Sequence, residues 1–191
     1  KPSCGNILVG VGPYSIEKGL VEAQEGSTKV VIRDVNTGMK IEEVVRTPNK
    51  IVAYEGDLKI DGVPNPGSPI DINFLEVIGS KTKKLFPTGN KIDVIDGIEC
   101  SMVDSAMPML LFRAKDFGLT GNESHLELNQ KQDLIDKMNS IRLKVGKMIG
   151  FGDVTKSVIP KMALLSKSET GSIRSRYFMP WQCHSSHAIT G

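Results

Sequence analysis

The sequence predicts an α+β fold of two similar halves, each with a mostly antiparallel curled sheet around a central helix. Three observations carry that expectation. β-branched runs separated by turn residues recur along the 191 residues, with the alternation expected of half-buried strands. A cysteine stands near each end, Cys4 in "KPSCGNILVGVGPY" and Cys183 in "MPWQCHSSHAITG", and each precedes a stretch that reads as a helix start. Strands follow the first of these helices and lead into the second, so the ends share one plan although no long stretch repeats residue by residue. The halves are placed at 1–90, the C-terminal part of one domain, and 91–191, the N-terminal part of another.

In chain order, Ile7 to Leu20 is apolar on nearly every side, as in a helix buried all round. Pro13 should bend or shorten it, and Gly19 is a stop signal. "TKVVIRDV" and "MKIEEVVRTP" flank "NTG", a strand–turn–strand signal. "KIVAYEGDLKIDG" reads as a further strand with turns at Glu55-Gly56 and Asp61-Gly62, "VPNPGSP" as a loop, and "IDINFLEVI" as an alternating strand. "LFPTGNKIDVIDG" connects the halves. "IECSMVDSAMPMLLFRAKDFG" gives a strand, a loop over Asp104 to Pro108, and a strand. Leu134, Met138, Ile141, Val145 and Met148 recur at helical spacing, and Gly150 and Gly152 end that helix. "PKMALLSKS" and "SIRSRYFMPW" are strands around an "ETGS" turn.

Composition bounds the function. Apolar residues make up 39% of the chain, and 24 basic against 22 acidic residues leave a net charge of +2. This is an ordinary globular balance without the basic stripe of a nucleic-acid binder; Lys81, Lys83 and Lys84 read as a solvated loop. No stretch approaches the ~20 apolar residues of a membrane span, and no signal-peptide layout opens the chain. Cys4, Cys100 and Cys183 are odd in number and widely spaced, which argues against a disulfide framework and for a reducing, cytoplasmic compartment. The chain lacks an initiator methionine and stops at Gly191 as a helix begins, which reads as an internal fragment with both flanks missing.

Chemistry points first to Cys4. A thiol acts as a base only as thiolate, and a helix start lowers its pKa from ~8.5 into a range of about 3.5–7.5. First-turn N–H groups also form an anion site. Gly5 leaves room for a bound carboxylate, and Asn6 offers donor and acceptor. Together these suit removal of a proton from carbon beside a carboxylate. The competing reading is a buried cysteine at the end of a core helix. Cys183, His184 and His187 could supply three zinc ligands, but a structural site wants four and no second Cys/His cluster exists. Cys100 alternates with apolar residues, as in a core. There is no G-x-S-x-G elbow, and Gly10-Val11-Gly12 lacks the preceding strand and third glycine of a dinucleotide fingerprint.

At "SCGNILVGVGPYSIEKGLV", "LFPTGN" and "VDSAMPMLLFRAKDFGLTG" the chain resembles the PrpF-type methylaconitate isomerase family, which includes 2-methylaconitate cis–trans isomerase, 3-methylitaconate Δ-isomerase, 4-oxalomesaconate tautomerase and aconitate Δ-isomerase. The resemblance implies the diaminopimelate-epimerase-like fold with its site in the cleft between two domains, and a reaction needing neither metal nor organic cofactor. It implies that Cys4 is the acid/base residue and that Gly5 and Asn6, with Ser3 ahead of them, hold a substrate carboxylate. It further places Thr88, Gly89 and Asn90 in a characteristic family segment near the domain junction, Ser105 to Pro108 in a loop entering the cleft, and His184, Ser185 and Thr190 on the second central helix.

Departures accompany it. The family's second acid/base group is a lysine upstream of the cysteine, in a segment this chain does not contain. Ser3 stands where many members have Asn, and "MPWQCH" replaces the usual Ser-Met-Gly-x-x-His. Cys183 falls where related two-cysteine epimerases place their second thiol and is a candidate partner acid.

The expectation is thus a cofactor-independent isomerase shifting a proton on an unsaturated di- or tricarboxylate of the aconitate type. Its partner is that small acid, with no nucleic acid and no membrane, and a homodimer is left open. An amino-acid epimerase using Cys4 and Cys183, and a non-catalytic carboxylate-binding protein, are the alternatives.

Overall fold

The computed structural model describes residues 5–35, 38–60, 63–75 and 77–188, with the side chains of Gly5 and Asn6 outside that description. The chain divides into two units, Lys1–Glu76 and Val77–Gly191. Residues 77–90, placed with the first half on sequence, pack with the second unit instead. The cause is a set of hydrogen bonds that tie residues 79–85 to Asp104.

The first unit holds α1 (Gly5–Leu8), α2 (Val11–Glu17), β1 (Gly26–Arg33), β2 (Lys40–Thr47) and β3 (Ile70–Phe74), with the strands antiparallel in the order β1-β2-β3. β1 and β2 pair over their full length from Gly26↔Thr47 to Arg33↔Lys40. Thr28, Val30, Ile41, Val45 and Thr47 point inward, the period-2 pattern of a sheet with one packed face. At the open end Thr47 donates its hydroxyl hydrogen to Gln24 O (2.8 Å) and lies 2.8 Å from the Thr28 hydroxyl, so two buried hydroxyls satisfy each other and the chain entering β1.

The continuous helix expected from Ile7 to Leu20 is instead two short ones, and it is not buried all round. Ile7, Tyr14 and Leu20 are exposed, while Gly12, Pro13 and Ile16 face inward. Pro13 sits in the first turn of α2, where a missing N–H does no harm. The expected strand over residues 51–60 is also absent. This segment is irregular, making one bridge, Leu58↔Gly67, and its apolar residues Ile51, Tyr54 and Ile60 are exposed.

Glu43 is the anomaly of this unit. It occupies an inward position of β2 and is fully buried. Its Oε2 accepts the Gly12 N–H at 2.7 Å, and its Oε1 has no partner. The carboxyl thereby caps a helix whose preceding residue, Gly10, has no side chain to do so. A β-carbon on Gly12 would collide with Glu43 Oε2 and lie 2.9 Å from Val45 Cγ2. Gly12→Ala is therefore expected to cost about 1–3 kcal/mol in urea unfolding.

Burial raises the Glu43 carboxyl above its ordinary range, and the Gly12 N–H offsets this only in part. A raised folded pKa means stability fully present at acid pH and declining as pH climbs through that value. Glu43→Gln, which keeps an acceptor for Gly12, is expected to gain on the wild type between about pH 5 and about pH 8. A pH-independent difference in unfolding free energy would contradict this.

The second unit is a six-stranded sheet ordered β4-β5-β6-β7-β8-β9. Its strands are β4 (Asp93–Ile95), β5 (Ile98–Ser105), β6 (Met107–Arg113), β7 (Lys161–Ser166), β8 (Arg174–Met179) and β9 (Gln182–Cys183). All neighbours are antiparallel except β6 and β7. That parallel pair requires a crossover, supplied by α3 (His125–Asn129) and α4 (Gln132–Met148). Ser124 and Glu127 form a capping box on α3.

α4 follows the predicted spacing: Leu134, Met138, Ile141 and Val145 are buried against Cys100, Met102, Leu110, Phe112, Met162, Leu164 and Phe178. Met148, expected on the same face, is exposed because the helix ends there. Arg142 is buried with them, donating to Asn139 Oδ1, Ser157 O and Val154 O, which holds the chain leaving α4. The α+β class with mostly antiparallel sheets is as predicted.

Candidate functional site

Ser3 and Cys4 lie outside the described residues, as does Thr190. What the structure gives of the first candidate segment is the helix behind it. Gly5 opens α1, so Cys4 is the residue immediately ahead of a helix in the sequence, followed by Gly5 and Asn6. Gly10 N–H bonds Ile7 O at 3.1 Å, closing α1 before α2 begins.

Thr88, Gly89 and Asn90 form a turn ahead of β4. Thr88 Oγ1 donates to Asp93 Oδ2 (2.7 Å) and Asn90 Nδ2 to Asp93 Oδ1 (2.9 Å). Gly89 adopts φ 89°, which favours glycine. Both side chains are thus committed to one buried carboxylate. The role this shows is shaping the turn, which Gly89 N–H to Phe86 O (3.0 Å) and Asn90 N–H to Thr88 Oγ1 (3.3 Å) also close.

Ser105 ends β5. The loop expected over Asp104 to Pro108 is a tight hairpin in which Asp104 pairs Pro108 and Ser105 pairs Met107 around Ala106 at φ 61°. Ser105 is exposed and shares a face with Met107, its cross-strand partner. Asp104 beside it is fully buried. Its Oδ1 accepts from Ser80 Oγ, and its Oδ2 from Lys81 N, Thr82 N and Thr82 Oγ1, all at 2.7–2.8 Å. Backbone bonds Gly79 N to Asp104 O and Asp104 N to Leu85 O complete the attachment of strap 77–85. Burial alone would raise the Asp104 carboxyl, but these donors outweigh it and hold it below the usual carboxylate range.

Cys183 does not open a helix in the described residues; it ends strand β9, paired with Phe178. Asn129 clamps it at both backbone groups, accepting from Cys183 N (2.6 Å) and donating to Cys183 O (3.2 Å). The thiol is buried and pushed up to about 11 by that burial, with Arg176 acting weakly in the other direction. Burial at the end of a strand weighs against a role for this thiol as a base.

His184 follows β9, its N–H bonded to Tyr177 O at 2.8 Å. Its Nδ1 accepts from Ser186 N at 3.0 Å, which assigns the ring proton to Nε2. Ser185 is exposed at the bend. His187 has Nδ1 3.0 Å from Ala188 O and Nε2 2.9 Å from Ser175 Oγ. The carbonyl can only accept, so the proton is on Nδ1 and Ser175 donates to Nε2.

Three further residues belong to this neighbourhood. Tyr177, fully buried, packs against His184 and His187 with ring centroids 6.0 and 5.1 Å away and donates its hydroxyl to Met107 Sδ. Through Met107 it joins the Ser105 hairpin to the His184 segment. Lys161 lies over the Tyr177 ring. The structure therefore brings Ser105, His184 and Ser185 to one region of the second unit, whereas Thr88 to Asn90 precede β4, the opposite edge strand from β9. Asp104 carried a readable signal, a charged residue at an inward position of an alternating strand. Lys161 and Tyr177 carried none, since only strand pairing makes them neighbours.

Among the described residues no group of three His, Cys, Asp or Glu side chains forms a metal site, and no helix is long and apolar enough to cross a membrane.

Comparison with known proteins bears on this arrangement. A family model described as PrpF protein matches residues 1–191. The Escherichia coli (strain K12) protein YbhH is 48% identical over 191 residues, covering 100% of this chain and 55% of YbhH. The (4E)-oxalomesaconate Delta-isomerase of Novosphingobium sp. (strain KA1) is 40% identical over 190 residues, 99% of this chain and 53% of that protein. Among solved structures, methylitaconate-delta-isomerase superposes with a TM-score of 0.88 at 33% identity, covering 100% of this chain and 55% of that one. A hydroxyproline epimerase from Agrobacterium vitis follows at a TM-score of 0.53 and 14% identity, over 97% of this chain and 48% of that one, and shows shared fold alone. The chain spans about half the length of the curated relatives it matches. Its fold is that of the epimerase-like isomerases.

Proposed function

This chain belongs to the PrpF family, and on that footing we propose that the whole protein is a cofactor-independent isomerase that shifts a proton on an unsaturated di- or tricarboxylate. The observation that carries the reading is a Cys-Gly-Asn segment whose glycine opens helix α1, in a chain of which 99% and 87% are matched by two relatives named as isomerases of such acids. N–H groups at a helix opening favour thiolate over thiol and bind carboxylate oxygens. Cys4 thiolate removes the proton from carbon α or γ to a carboxylate. The electron pair left behind spreads over the allylic system and that carboxylate, and the amides stabilise the charge as it develops. Return of the proton from sulfur to the far carbon moves the double bond; rotation before return to the original carbon gives the cis–trans product.

The amino-acid epimerase alternative needs a second thiol that ionises opposite the first. Cys183, buried at the end of a strand and pushed up to about 11, weighs against it.

The test is solvent exchange. The whole protein, incubated in D2O with trans-aconitate, itaconate-type acids and a panel of amino acids, is expected to place deuterium at the allylic carbon of an unsaturated acid and to yield its isomer by NMR. Exchange confined to amino-acid α-carbons, or none with any acid, overturns the proposal.

A further inference from the structure

The face of the six-stranded sheet turned away from α4 is built differently from its other face. Met107 and Met109 from β6, Ala163 from β7 and Tyr177 from β8 form a small apolar floor. Lys161 stands at the edge of that floor with Nζ 5.0 Å from the Tyr177 ring centroid. It is half-buried, and no carboxylate lies within ion-pair distance of it among the described residues. Burial lowers its pKa, and no neighbouring charge contributes to the shift. An ammonium kept this way is unusual, since half-buried charges ordinarily find a counter-ion.

One donor packs on the same ring as this lysine. His184 packs on the same Tyr177 ring with Nδ1 occupied by Ser186, which leaves Nε2–H as its free donor. Ser105 lies on the same face as Met107, which accepts the Tyr177 hydroxyl hydrogen. His187 is excluded, because both its ring nitrogens are already engaged.

We infer that Lys161, with His184 Nε2–H and the Tyr177 ring between them, forms a carboxylate-binding subsite for the acid that the whole protein isomerises. The assignment rests on the function proposed above. The ammonium supplies the counter-charge and the imidazole a directed hydrogen bond, while the buried Tyr177 ring beneath them holds both side chains in place. Lys161 binds and orients; it takes no proton from carbon.

The experiment uses the whole protein with the acid that shows deuterium exchange. Lys161→Met is expected to raise KM by about ten- to a hundredfold, the weight of one charge-assisted hydrogen bond, with kcat little changed, as for an interaction equal in ground and transition states. Lys161→Arg, which keeps the charge, should recover most of the loss. Independently of any variant, mild acetylation of the wild type read by mass spectrometry should modify Lys161, and saturating acid should suppress modification there but not at Lys81, Lys83 or Lys84. An active wild type whose KM is unmoved in Lys161→Met, or whose Lys161 acetylation ignores the acid, overturns the subsite alone. A wild type that exchanges no unsaturated acid overturns the functional reading and the subsite with it.

Discussion

Replacing Cys4 with alanine should remove isomerisation and solvent exchange while leaving the fold in place. Loss of a positioned acid/base group typically lowers rates by 10²–10⁴-fold, and in the proposed mechanism the same sulfur both takes and returns the proton, so the expected fall is at the upper end. Cys4→Ser is the informative companion. It keeps size and polarity, but an alcohol at that position is not ionised near neutral pH, so activity should remain as low as in the alanine variant. Circular dichroism and melting temperature of both variants should match the wild type, because the residues that α1 and α2 bury, Leu8 in the first and Gly12, Pro13 and Ile16 in the second, are untouched. A Cys4→Ala protein that turns over aconitate-like acids at the wild-type rate removes the mechanism. One that loses activity and melting temperature together marks Cys4 as a core residue, which is the competing reading of a cysteine beside a helix.

The parts of this molecule legible in its sequence are those whose partners are close in the chain. β1 and β2 flank a short turn, and α4 carries Leu134, Met138, Ile141 and Val145 on one stripe, so periodicity alone identifies them. Residues 51–60 show why the same reasoning fails elsewhere. Ile51, Val52, Tyr54, Leu58 and Ile60 have strand composition, but strand formation needs a continuous neighbour, and the backbone bonds Ala53 N–H to Arg46 O and Ser68 N–H to Tyr54 O and the bridge at Leu58 are scattered rather than a ladder. Cys183 is a second case. A cysteine ahead of small polar residues resembles a helix start, yet the carboxamide of Asn129, 54 positions away, and pairing with Phe178 hold it in a strand. Residues 77–85 are a similar case, tied to β5 by Asp104 rather than by any local pattern. The candidate site was legible chiefly through motif resemblance. Its segment at Thr88 to Asn90 proved to spend its side chains on Asp93, and the residues around Tyr177 became visible only once β6, β7 and β8 were paired.

Asp104→Ala should produce the largest loss of stability in the second unit. Four donors converge on this one buried carboxylate, two of them backbone N–H groups, Lys81 and Thr82, in a strap otherwise tied to the β5–β6 hairpin, among the described residues, by the backbone bonds Gly79 N–H to Asp104 O, Asp104 N–H to Leu85 O and Ala106 N–H to Val77 O. Hydrogen bonds to a charged acceptor contribute about 1.5–3 kcal/mol each, though not additively, and solvent can reach part of the strap once it detaches. A net cost of about 3 kcal/mol or more is therefore expected. Asp104→Asn should cost less. Its amide oxygen can take the place of Oδ2 before Lys81 N and Thr82 N, while its NH2 faces the Ser80 hydroxyl, which can rotate to accept. The two variants also separate in pH. Because the folded carboxyl lies below its ordinary 3.8, its contribution is fully present above that value and is lost as pH falls through the folded pKa. Wild-type stability should thus drop on acidification from about pH 5 to about pH 2 by more than that of Asp104→Asn, which has no proton to bind there. Amide hydrogen exchange supplies the local readout: protection at Lys81 and Thr82 should survive in Asp104→Asn and vanish in Asp104→Ala. If Asp104→Ala melts with the wild type and both amides stay protected, the strap is held by something other than this carboxylate, and the hairpin that presents Ser105 beside Met107 and Tyr177 owes its position to its own turn.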